Sequence, residues 1–100
     1  MEKRNEVIVL LINCLLYKVR QNVRIITLDW NADFSWLKLH CYTDSQPNDR
    51  DFELFGDVIA LYISYGDNYK VDFDLSVQFY DQDFDHVDTK RFILYGRYEE

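Results

Sequence analysis

Asp81, Asp83 and Asp85 fall at every second position, the opening of a calcium-binding loop. Such a loop needs glycine at its sixth position for the sharp turn and a bidentate glutamate at its twelfth. Those positions hold His86 and Phe92, so the pattern fails at its two most telling places and the acids read as solvated loop residues. Zinc fares no better: neither C-x-x-C nor H-x-x-x-H spacing occurs, and the neighbours His40 and Cys41 point to opposite faces of a strand. A nucleophile elbow is missing, and Cys14 lies within an apolar run. His86 sits between Asp85 and Asp88, where a surface histidine is the plainer interpretation than a general base. Gly56, Gly66 and Gly96 are isolated, so no phosphate-cradling loop forms. The residue types thus predict no enzyme, no metal and no cofactor.

Charge and aromatic side chains say more. The 100 residues carry a net charge of −7, unevenly spread. Residues 1–42 hold six Lys/Arg against four acids, residues 43–88 two against twelve, and residues 89–100 three against two. The middle segment sets the sign of the field, which favours a basic partner and repels nucleic acid and anionic membrane. The same charge also serves solubility. The apolar run Val7–Leu16 is too short to span a bilayer, no leader-like cleavage site follows it, and both cysteines look like small core residues. A cytoplasmic protein with reduced thiols is expected.

The elements that would position these side chains follow from periodicity. Ile8, Leu11, Ile12, Leu15, Leu16 and Val19 form one helical stripe, predicting a helix over 5–21. Val23–Trp30 and Ser35–Tyr42 alternate as strands, joined by the turn-like Asn31–Phe34. Asn48 is an N-cap candidate with Asp51 three residues on, and Phe52, Phe55, Val58, Ile59, Tyr62 and Ile63 recur at helical spacing before Gly66. From Tyr69 to Phe79 the odd positions are apolar and the even ones polar, the strongest local signal in the chain. A polar loop, Asp81–Asp88, leads to a last strand, Arg91–Tyr98. The order α-β-β-α-β-β predicts one α+β domain over 1–100: two hairpins in a four-stranded antiparallel sheet, with both helices on one face. Trp36, Lys38, His40, Asp72, Asp74 and Tyr95 then belong to the other face. Aromatic residues among charges are the composition of protein interfaces. That face is either a partner surface or covered by a further part of the chain or a second copy.

The same residues carry a resemblance. An apolar first helix precedes Asn22-Val23-Arg24, a strand running to Asp29 and a second ending Tyr42-x-Asp44. A capped acidic helix after Asn48 and a closing Gly96-Arg97-Tyr98-Glu99-Glu100 complete the pattern. It resembles small bacterial immunity proteins of contact-dependent growth inhibition and polymorphic toxin systems, over almost the whole chain. The proline-containing link usual before the last strand is replaced by Asp81–Asp88. The resemblance implies an antitoxin that binds a cognate toxin domain, with a basic nuclease as the expected partner. Carboxylates at Asp72, Asp74, Asp81, Asp83 and Asp85 would pair with its cleft, and Trp36, Tyr80 and Tyr95 would be the desolvated anchors. The alternative is a non-catalytic protein-interaction module, or one that forms a homodimer through an edge strand or the second sheet face.

Overall fold

The computed structural model describes residues 3–16, 18–66, 68–81 and 92–97. Helix α1 (Lys3–Leu15) is followed by strands β1 (Val23–Trp30) and β2 (Trp36–Thr43), helix α2 (Asp49–Ile63), a 3-10 turn (Asn68–Lys70), and strands β3 (Asp72–Phe79) and β4 (Phe92–Gly96). Two helices and four strands, in the expected order, make an α+β fold. The sheet, however, is mixed. Its spatial order is β3-β2-β1-β4, with β1 antiparallel to both β2 and β4 but β2 parallel to β3. The expected second hairpin does not form: β3 and β4 lie at opposite edges. The reason is the connection, since a helix between two strands returns the chain to the end from which it started, the geometry of a parallel crossover.

Both helices cover one face. Ile26 and Leu28 of β1 pair with Cys41 and Leu39 of β2, which pair in turn with Val77 and Leu75 of β3. These side chains share one core with Val7, Leu11, Cys14 and Leu15 of α1 and Phe55, Val58 and Tyr62 of α2. The buried positions of α1 are Val7, Ile8, Leu11, Cys14 and Leu15, so its inner stripe is rotated from the expected one toward Val7 and Cys14, and Ile12 and Leu16 are exposed. The helix also ends at Leu15, six residues early. Leu16 and Lys18 donate to the carbonyls of Asn13 and Leu15, tightening the final turn so that the chain can reverse into β1.

The start of α2 is fixed by a reciprocal capping box. The Asp51 N–H donates to Asn48 Oδ1 at 3.2 Å, and the Asn48 N–H to Asp51 Oδ2 at 3.0 Å. Asp51 does more than cap. Only 1% exposed, it also accepts from Asn22 Nδ2 at 3.1 Å and Arg20 Nη1 at 3.3 Å. The α1–β1 connection is thereby fastened to α2. The same connection is fastened to the end of β4, because Arg97 Nη1 donates to the Gln21 carbonyl and to Asp44 Oδ2, both at 2.7 Å.

Candidate partner-binding site

The turn between β1 and β2 sets the position of Trp36. Its backbone N–H donates to Asn31 Oδ1, whose Nδ2 donates to Ser35 Oγ; the Ser35 N–H and hydroxyl both donate to Asp33 Oδ1. Those bonds hold the Asp33 carboxyl below its usual range, the hydroxyl contributing most. Phe34 takes a left-handed φ of 60° and stacks on Trp30, with ring centroids 5.8 Å apart. The result is a hairpin that delivers Trp36 to the sheet face opposite the helices.

On that face the register lays side chains in rows. Trp36 lies beside Asp72; Lys38 lies between Asp29 and Asp74; His40 lies between Thr27 and Ser76. Trp36 Nε1 donates to Asp74 Oδ2 at 2.9 Å, and His40 Nε2 is 3.1 Å from Asp29 Oδ2. Asp72 and Asp74 are exposed, while Trp36 and Lys38 are half-buried. The structure therefore brings together three of the expected site residues, Trp36, Asp72 and Asp74, at the start of the β3 edge.

Tyr80 and Asp81 stand at the other end of the same strand, about 25 Å away at 3.3 Å per residue. Tyr80 packs edge-on against Tyr42 with centroids 5.5 Å apart, and its carbonyl accepts from Arg24 Nη1 at 2.7 Å. Asp83 and Asp85 lie outside the described residues. Tyr95 is a correction. A register shift between Ile26 and Thr27 places Tyr95 opposite Ile26, on the helix side, while Ile93 faces Thr27. One extra residue in β4 reverses the alternation, so Tyr95 joins the core beside α1 instead of the second face. That second face is not uniformly wet either: Ile25, Thr27, His40 and Tyr42 are buried, while Asp72 and Asp74 at its β3 margin and Ile93 at its β4 margin are exposed.

Two features carried little sequence signal. One is the burial of Asp51 with its Arg20 and Asn22 donors, since pattern alone presents this residue as part of the α2 cap and not as an anchor for the α1–β1 connection. The other lies at the β4 edge, where Ile12, Leu15, Leu16, Val19, Leu94 and Tyr95 line an apolar groove of about 260 Å³. Among the described residues no three His, Cys, Asp or Glu side chains gather to hold a metal. None of the described helices is long and apolar enough to cross a membrane.

Trp36, Asp72 and Asp74 thus form an acidic, aromatic patch along the β3 edge. The MafI2 immunity protein model matches residues 4–99. The chain belongs to this immunity protein family. The match spans every described helix and strand except the first residue of α1. It bears out the resemblance to polymorphic-toxin immunity proteins seen in the residues. No curated protein matches the chain.

Proposed function

We propose that this chain is an antitoxin, not an enzyme: it binds one cognate toxin domain in the cytoplasm and silences it by covering the toxin's substrate cleft. Membership of the MafI2 immunity family over residues 4–99 is the observation that carries this conclusion. A nuclease is the partner whose chemistry suits the surface best. Gripping phosphate requires a basic cleft, and the −7 charge of this chain is its complement. Asp72 and Asp74 extend from the open edge of β3 as the acids that meet that cleft first. Trp36, already held by Asp74, is the aromatic anchor that is desolvated on contact. Tyr80 and Asp81 lengthen the same edge, and Asp83 and Asp85 follow it directly in the chain.

The test uses the tagged protein to recover its partner from the source bacterium, washed at low and then moderate salt. One basic toxin domain at near one-to-one ratio, partly released by salt, is the expected result. The recovered domain is then titrated against Asp72→Lys/Asp74→Lys. Slower association and at least tenfold weaker binding are expected, with a smaller salt dependence. Unchanged affinity would remove the β3 edge from the interface and leave the antitoxin role standing. Failure of the unaltered protein to inhibit any recovered partner would remove the role itself.

A further inference from the structure

The opposite edge of the sheet, β4, differs from β3 in chemistry. We infer that β4 and the groove it shares with α1 are the contact surface for a second copy of this chain.

Among the described residues β4 pairs with β1 alone, so its outer side is a strand edge able to accept another strand. Natural edges are normally guarded by charge, and β3 obeys that rule with Asp72 and Asp74. β4 does not. Phe92-Ile93-Leu94-Tyr95-Gly96 contains no charged residue, and Ile93 is 52% exposed. Beside it on the helix side, Ile12 is 44% and Leu16 55% exposed at the mouth of the groove. Ile93 faces away from the helices and the groove lies on the helix side, so this edge is apolar on both faces of the sheet.

Charge selects the occupant. The net charge of −7 would oppose contact between two copies at most places, and at β3 it would set Asp72 and Asp74 against the same acids. None of the six residues lining the groove is charged, so two copies meet here without an acid facing an acid. A basic toxin finds no complementary charge on this edge, whereas a second copy finds a surface of its own kind. A two-fold axis beside β4 pairs the strand antiparallel with its counterpart and joins two four-stranded sheets into one of eight. It also lays the two α1 helices side by side, so that Ile12 and Leu16 of each copy close the groove of the other. Strand and helix are each about 20 Å long, a strip at the lower end of specific interfaces. A micromolar dimer is therefore expected.

Sedimentation of the full chain from about 1 μM to 1 mM tests this. The mass is expected to rise from 12.1 kDa toward twice that value. Leu16→Glu and Ile93→Lys, both at exposed positions, should each raise the dissociation constant at least tenfold while leaving the circular-dichroism melt in place. Asp74→Lys should leave the dimer unchanged. A monomer throughout the range, or a dimer indifferent to both strip variants, would overturn the proposal. So would a monomeric protein whose toxin binding falls with Leu16→Glu, because the groove would then belong to the toxin.

Discussion

Strands β3 and β4 end the same sheet and present opposite surfaces. β3 lies parallel to its neighbour, is reached through a helix, and shows Asp72 and Asp74 to solvent. β4 lies antiparallel to its neighbour, contains a register shift and exposes only uncharged residues along its length. The short connection over residues 18–22 is reached by one charged side chain from α2 and another from the end of β4. Asp51 binds Arg20 and Asn22 from the α2 side, and Arg97 binds the Gln21 carbonyl from the β4 side.

The largest expected effect is on the α2 side. Asp51→Ala removes a buried carboxylate that accepts three hydrogen bonds, and should cost about 3 kcal/mol in urea unfolding. A cost under about 0.5 kcal/mol would mean that α2 is held by its apolar stripe alone. Reversing Asp72 and Asp74 together should weaken the toxin complex at least tenfold, about 1.4 kcal/mol, without changing self-association. If both properties moved, the two edges would not be separate surfaces. On the β4 side, Arg97→Ala gives up two short hydrogen bonds from a half-buried guanidinium and should cost about 1 kcal/mol by the same unfolding measurement. Smaller still is Trp36→Phe, which keeps the ring but loses the Nε1 donor to Asp74. About 0.5 kcal/mol of toxin affinity is expected to go with it, read by calorimetry.

A control indifferent to either edge comes from the thiols. Burial pushes the Cys41 thiol well up, with the Asp51 carboxylate adding to it, and burial also raises Cys14. The folded chain keeps protons that the unfolded chain sheds above about pH 8.5. Stability from this source is complete below that pH and declines as pH rises beyond it. Urea midpoints at neutral and alkaline pH should show the decline, and Cys41→Ala should flatten part of it.

Much of this architecture was legible in residue order because alternation and helical spacing report which face a side chain occupies. Phe73, Leu75 and Val77 of β3, the pairing faces of β1 and β2, and the Asn48–Asp51 cap stand where those patterns put them, whereas Tyr69 falls in the 3-10 turn and both it and Phe79 are exposed. Partnership between strands is another matter. Period two does not reveal whether the neighbour runs parallel, so β3 was matched to the strand next in sequence when it in fact pairs with β2. The early end of α1 is hidden because Leu16 and Val19 keep the apolar spacing beyond it, Leu16 exposed at the groove and Val19 packed against both groove and core. Tyr95 was misplaced by a single extra residue, which alternation cannot register. Of the candidate site, Trp36, Asp72 and Asp74 were visible as polar-side residues, but their assembly on one edge depends on the parallel register. Asp51 was legible as a cap and not as a buried anchor, since its partners lie some thirty residues away in sequence.

The pairing of β1 with β4 has a consequence for how the chain acquires its shape. Leu28 meets Phe92 and Ile25 meets Gly96, separations of 64 and 71 residues, whereas β1 and β2 close through a five-residue turn. Closing so long a segment is entropically slow compared with forming the hairpin. As the chain leaves the ribosome, β1, β2, α2 and β3 can assemble while one side of β1 still waits. The acidic edge is thus available for capture before the sheet is finished. The uncharged edge comes into existence only with the last strand, which postpones self-pairing until synthesis of β4 is done.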